Sequence, residues 1–544
     1  MPGKVLLLYP PLRNTYSRSL PQGCLLIADA FKKNGLQVKI LNMDTDRPSR
    51  EEIVEQVRTY KPDIIGYSAV TSTTYSYIKD LTKHIKNEIG RDIYFIIGGN
   101  AAISADLLIN KCGIDLCFIG EAYNTVQHFC ATYDYSLKKV DTNRLNGIKG
   151  LIFKGEDGDL VFTGYPEQAD LNDIPMIRDF SLIDINKYLW DVRRELEINP
   201  NYPPLSRAIM ERLPVGSKAM MVSVNSGCQN ACSFCHRNVM GIRQRKIESV
   251  LDYIDYLTKS FNVRFFVFDD ESFFWRREWL EGFLNGVRKR DVAFRLAGVR
   301  ADAMVRNKDI LPHLVKAGMV EIGLGIEAGS QQILDTMDKN VTVAENLEAI
   351  KVANDLGIYH CPQLVLGMPG ESPATLRETE SLLLKCRSSN GDASINMLQV
   401  LPGSPVYWYA HKNGLIKDEE AYLTEQSDKN ASNYVAALNM ISYPKDILSL
   451  ARRRMYAKMQ WVNGSKLKSI KYWMVYVAVM VRSMIGYSDS ASLRKKISVL
   501  LYILTGSTFK TSTDGYGGGS LRKLMIKDTC SYSNVVDKVK FGIR

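Results

Sequence analysis

Three thiols set close together carry the most reactive chemistry in this chain. Cys228, Cys232 and Cys235 fall at Cys-x3-Cys-x2-Cys within residues 226–236. The apolar run 219–224 just before them reads as a buried strand, which puts the thiols on the loop leaving its carboxyl end. A structural zinc ion wants four ligands, and these thiolates offer three. His236 could serve as the fourth, although its adjacency to Cys235 makes tetrahedral geometry awkward. An iron–sulfur cube takes one Cys per iron, so three thiolates leave one iron open to another ligand. Two readings stand side by side: a reactive cluster, or a zinc knuckle closed by His236.

Other polar groups recur wherever a strand-like run ends. Residues 265–268 run into Asp269, Asp270 and Glu271, and residues 293–297 lead to Arg300 and Asp302. The run 320–325 ends in Glu327 and Ser330, and 363–366 ends in Gly367-Met-Pro369-Gly370-Glu371. Asn396 lies in a last run, 394–401. Helical spacing between them covers 247–260, 279–288, 310–317 and 343–356. Repeated strand–helix units with polar loops predict a partial parallel (β/α)6 barrel over 218–423, its chemistry at the carboxyl-end face.

Residues 1–140 alternate in the same way. Strands are predicted at 5–9, 38–41, 64–68, 93–97 and 116–119, with helices at 25–34, 50–60, 75–88 and 105–111. The expectation is an open parallel sheet of flavodoxin or Rossmann type with helices on both faces. Ligands of such sheets bind beyond the carboxyl ends of the strands. The residues there are Ser68, Thr71, Ser72, Gly98, Gly99, Gly120 and Glu121, small or hydroxyl-bearing groups apart from the last. Residues 141–217 read as a connector carrying a hairpin around Gly155 to Gly158. Residues 424–544 read as a helical domain with helices at 451–459, 469–482 and 494–504 and a glycine-rich break at 515–519. Trp473, Val477, Met480 and Met484 lie there at helical spacing, as in a helical cap over the barrel. The fold class is α/β.

Composition sets the outer bounds. The 544 residues are 45% apolar and 24% charged, ordinary values for a globular chain. Ten cysteines, three clustered and seven scattered, suit a reducing compartment better than a disulfide framework, so a cytoplasmic protein is expected. No run of 18 apolar residues occurs, which argues against a membrane span. Charge is uneven: residues 451–544 hold 18 Lys and Arg against 4 Asp and Glu, while the rest of the chain is slightly acidic. That basic end suits an anionic or lipid substrate, or peripheral contact with a membrane surface. No nucleic-acid recognition module is visible.

The cysteine stretch closely resembles the signature of radical S-adenosylmethionine (SAM) enzymes. The resemblance implies a 4Fe–4S cluster whose open iron chelates SAM, and one-electron cleavage to a 5′-deoxyadenosyl radical. It also implies that Phe234 lies against the adenine and that Asp269, Asp270 and Glu271 receive the SAM amino group. Arg300, Glu327 and Ser330 would follow along the SAM site, with Glu327 on the ribose. Gly367, Pro369, Gly370 and Asn396 would border the adenine. The first domain resembles the cobalamin-binding domain that precedes this core in one subclass, on Pro21-Gln-Gly23, the stretch 63–71, Gly98-Gly99 and Gly120-Glu121.

It departs from the usual form at Asn100-Ala101 and at Ala122-Tyr123. It also lacks the Asp-x-His-x-x-Gly motif, and the loop 10–23 holds no histidine ligand for cobalt. The combination resembles class B radical SAM methyltransferases. It implies methyl transfer from methylcobalamin to an unactivated carbon of a small-molecule, lipid or natural-product substrate. The electron would come from an external donor of the flavodoxin or ferredoxin kind. Alternatives are a cyclase or rearrangement enzyme of the same subclass, and, from another class, a non-catalytic metal- or iron–sulfur-binding protein.

Overall fold

The computed structural model describes residues 3–12, 19–90, 92–134, 139–236, 241–387, 391–428, 436, 438–485, 490–505, 516, 518–527 and 540. Its first sheet grows from the apolar strand Lys4–Tyr9, nearly all of it buried. Around that strand the order is Gln37–Asn42, Lys4–Tyr9, Ile64–Ser68, Tyr94–Gly98 and Leu116–Phe118, all parallel. Runs rich in Val, Ile and Leu can be strands buried on both faces only if helices cover both sides. The helices Gln22–Lys33, Arg50–Tyr60, Tyr75–Ile89 and Ala105–Cys112 supply that cover. Ser49 starts the second of these with a reciprocal capping box to Glu52.

The hairpin expected in the connector has a different place. Leu151–Lys154 pairs antiparallel with Leu116–Phe118, and Leu160–Phe162 pairs with it in turn, so the hairpin closes the edge of the first sheet. An exposed strand edge is a pairing hazard, and two added strands cover it.

The second sheet is an open half-barrel of six parallel strands. They run in chain order: Lys218–Val222, Val263–Phe268, Ala293–Arg300, Met319–Glu327, Tyr359–Leu366 and Ser394–Met397. The short strand Trp190–Asp191 adds an antiparallel edge. Met319–Glu327 is buried along its whole length, as expected for a central strand between helices. An aromatic core of Phe268, Phe273, Phe283 and Phe294 locks the first units, with ring centroids 5.0–6.2 Å apart.

The carboxyl-terminal helices are Asp446–Asn463, Lys466–Ile485, Ser490–Thr505 and Leu521–Lys527. The first lies against the last barrel strand, where Arg452 Nε donates to the Ile395 carbonyl at 2.7 Å. Its Arg454 meets the buried Glu380 at 2.7 Å. Met484's side chain and residues 515 and 517 of the glycine-rich break fall outside the described residues; Tyr516, within the break, stands beside Gly370.

Candidate active site

The carboxyl ends of the two sheets face each other. Gln22 Nε2 reaches the Ser223 carbonyl at 3.3 Å, and a side-chain atom added at Gly403 would lie 2.4 Å from Ile103 of the first domain. Between them runs the cysteine loop, which is fixed at three points. At its entrance, the amides of Val224 and Asn225 donate to Asp270 Oδ1 at 2.9 and 2.6 Å. Next, Ser226–Cys228 pairs antiparallel with Gly241–Arg243. Gly227 sits at φ 80° there, and a Cβ would be 2.3 Å from the Gly241 carbonyl oxygen, so only glycine fits. Finally, Ser233 donates its amide to the Met337 carbonyl at 2.7 Å and its hydroxyl to Thr336 at 2.8 Å. Its carbonyl accepts the Val406 amide at 3.1 Å.

Cys228 and Cys232 are buried and Cys235 is half-buried. Asn230 Nδ2 and Ser272 Oγ each stand 3.6 Å from the Cys228 sulfur, donors of the kind that tune a ligating thiolate. Among the described residues no three His, Cys, Asp or Glu groups converge tightly enough to hold a metal ion. The loop thus carries three thiols between fixed backbone anchors. The donor set fits an iron–sulfur cluster.

Around this loop the strand-end residues take distinct tasks. Asp270 is buried, and desolvation raises its carboxyl to about 7 despite the two amides. It braces the cysteine loop, while its second oxygen has no hydrogen-bond partner among the described residues. Asp269 and Glu271 are exposed on either side and remain available to an amino group. Glu327 ends its strand in the left-handed region at φ 61° and accepts Lys339 Nζ at 2.6 Å. Burial opposes the Lys339 charge, but Glu327 and Cys232 nearby hold its ammonium above the ordinary value.

Arg300 does not point into open space. Its guanidinium spans Asp302 at 2.9 Å and the Lys339 carbonyl at 2.7 Å, so it fixes the turn that carries Lys339. Ser330 is buried before the helix Gln331–Thr336 and gives it no side-chain cap. Phe234 is half-buried and packs into the core shared with the first domain. Gly367 lies at φ 105° and donates its amide to Glu371, while Pro369 is buried and Gly370 lies at φ 83°. Glu371 is fully enclosed, which pushes its carboxyl up to about 8, and its other oxygen has no hydrogen-bond partner among the described residues. Asn396 donates to Ser394 Oγ at 3.1 Å.

In the first domain a cleft of about 300 Å³ opens at the sheet's carboxyl end. Leu26 and Ile27 wall it on one side, Phe118 and Val126 on another, and Gly66 and Gly98 form its floor. Gly66 has no room for a side chain, since a Cβ would sit 2.8 Å from Leu7. Ser68, Gly98, Gly99, Gly120 and Glu121 line this cleft; Thr71 and Ser72 do not, Thr71 being used to turn the chain into Tyr75–Ile89. An apolar slot with a glycine floor fits the flat organic part of a large cofactor such as cobalamin. Glu121 also turns outward. It forms a bidentate pair with Arg243, one arm at 2.7 Å, and Ser226 Oγ lies 3.4 Å from it. Arg243 belongs to the strand that clasps the cysteine loop, so this pair ties cleft to loop. Sequence reasoning missed Arg243, Lys339, Leu26 and Ile27; none sits in a motif, and only helical spacing marked the last two.

Residues 222–383 match the model of the Radical SAM superfamily, and residues 12–129 match that of the B12 binding domain. The chain is 28% identical over 359 residues to the anaerobic magnesium-protoporphyrin IX monomethyl ester cyclase of Rubrivivax gelatinosus. That match covers 64% of this chain and 59% of the cyclase, so the chain spans less than two thirds of that relative's length. It is 23% identical to the hopanoid C-3 methylase of Methylococcus capsulatus, over 65% of this chain and 63% of the methylase. In fold it is similar to the cobalamin-dependent S-adenosylmethionine radical enzyme OxsB, with a TM-score of 0.63 at 14% identity, covering 97% of this chain and 80% of OxsB.

Proposed function

The chain belongs to the cobalamin-dependent radical SAM enzymes, and from that premise we propose that it is a C-methyltransferase acting on an unactivated carbon. One observation carries the reading: the cleft of the first domain and the cysteine loop of the half-barrel are joined through Glu121, Ser226 and Arg243. A shared hinge of this kind suits a reaction in which two cofactors must reach one substrate.

Cys228, Cys232 and Cys235 would hold the cluster, and the cleft floored by Gly66 and Gly98 would hold cobalamin. When bound, these groups supply a 5′-deoxyadenosyl radical from SAM and a methyl group on cobalt. The protein's part is positioning. Asp270 and Ser233 hold the thiol loop, and Asp269 and Glu271 would receive the SAM amino group. The Lys339–Glu327 pair puts a cation beside the loop, a counter-charge for thiolates or for a carboxylate. The turn 367–371, with Gly367 and Gly370 at positive φ, would border the adenine. The substrate is read as a small molecule or natural product, and the electron as coming from a flavodoxin- or ferredoxin-like donor.

The test is anaerobic turnover of reconstituted protein with SAM, cobalamin and titanium citrate. S-adenosylhomocysteine released together with 5′-deoxyadenosine supports methyl transfer. Deoxyadenosine alone favours the second reading, ring formation, which the similarity to a cyclase supports.

A further inference from the structure

The helix Lys466–Ile485 carries two apolar faces, and this chain buries only one of them. Its inner side packs on Asp446–Asn463: Ser469 Oγ donates to the Ala457 carbonyl at 2.7 Å, Tyr472 stacks on Tyr456 at 5.2 Å, and Ser483 Oγ donates to Asp446 at 2.9 Å. Trp473 and Tyr476 meet edge to face on this side. The outer side carries Leu467, Ile470, Met474, Val477 and Val481, one stripe at alternating spacings of three and four. All five are exposed, Leu467 at 80% and Met474 at 61%. The neighbouring helix Ser490–Thr505 adds exposed Ile497, Leu500 and Leu504, and Trp461 stands exposed just before the pair. An apolar helix face belongs in an environment that covers it.

Charge says what covers it. The two helices hold seven Lys and Arg and no Asp or Glu. Lys468, Lys471 and Arg482 are exposed along the stripe and form no ion pair among the described residues. A second copy is a poor partner, because a two-fold contact would set each cation near its own duplicate. No helix among the described residues is long and apolar enough to cross a membrane. What remains is a helix of 20 residues, about 30 Å long, with an apolar stripe, flanking cations and the exposed indole of Trp461 just before it. Those are the features of a helix lying in the headgroup plane.

We propose that the outer face of Lys466–Ile485 and Ser490–Thr505 docks the protein on an anionic bilayer. Such a surface would deliver the barrel an apolar substrate from the lipid phase, an extension that the docking itself does not require. The test is flotation of the full chain with vesicles of phosphatidylcholine alone or mixed with phosphatidylglycerol. The chain should float with the anionic vesicles and stay behind with the neutral ones. Met474→Glu should cut vesicle partitioning about tenfold or more, and Lys468→Gln and Lys471→Gln about fivefold each. Cluster absorbance should be unchanged in all three, which separates this result from any failure of the reaction proposed above. The proposal is overturned if the chain does not float with anionic vesicles, or if Met474→Glu floats as well as the parent. It is equally overturned if light scattering shows a dimer that Met474→Glu dissolves.

Discussion

Cys232 lies between two buried anchors, Ser233 and the Lys339 turn, and its replacement separates the two cofactors cleanly. Cys232→Ala should abolish the brown iron–sulfur absorbance and SAM cleavage while leaving cobalamin uptake intact, since every wall of the cleft lies outside the thiol loop. Ultraviolet–visible spectra of the reconstituted variant check both. The converse is Ile27→Trp, which fills the cleft: cobalamin binding should fall by about tenfold or more with the cluster retained. Glu371 offers a pH signature. Its folded carboxyl titrates at about 8 against an ordinary 4.5, so the folded chain binds the extra proton between those values. Stability contributed by the neutral form is full below 4.5 and is lost as pH rises toward 8. Glu371→Gln should flatten that part of a denaturation-versus-pH profile, and an unchanged slope would remove Glu371 as its source.

Among the elements, the small hairpin Ser226–Cys228 with Gly241–Arg243 does more than its size suggests. It closes the thiol loop at one end and grips Glu121 of the first domain at the other. Removing one partner of a half-buried, bidentate pair leaves the other poorly solvated. Arg243→Ala should cost about 2 kcal/mol of stability, read in urea. It should also slow any step that uses both cofactors more than it slows SAM cleavage alone. Gly227→Ala is harsher, since its side chain meets the Gly241 carbonyl. Cluster content should fall even where the chain still folds, measured as iron and sulfide per protein. The hairpin Leu151–Lys154 with Leu160–Phe162 shows the limit of local reading. Its turn was visible in sequence, but its partner was not, because pairing with Leu116–Phe118 depends on which sheet edge is open.

The described molecule consists of two mainly parallel sheets whose carboxyl ends meet, with a basic helical region fastened to the edge of the second. That arrangement follows from each sheet placing its ligand site at the same end. Facing the two ends sets the first-domain cleft next to the cysteine loop, tied through Glu121 and Arg243. The carboxyl-terminal region reaches back as well. Tyr516 lies against Gly370 and donates to Thr336 Oγ1 at 3.0 Å, so the tail touches both the 367–371 turn and the segment that anchors Ser233.

Sequence alone determined the strand–helix order of both sheets, the three thiols, and the glycines at Gly98, Gly99, Gly367 and Gly370. Those features are local: hydrophobic period, ligand spacing and backbone freedom are properties of a few neighbouring residues. Tertiary structure alone decided that Asp270 serves the backbone of Val224 and Asn225, that Arg300 holds the Lys339 turn, and that Glu121 reaches Arg243. It also decided which side of Lys466–Ile485 is buried. A charged or apolar side chain takes its role from what stands opposite it, and the partner is fixed only when distant segments pack.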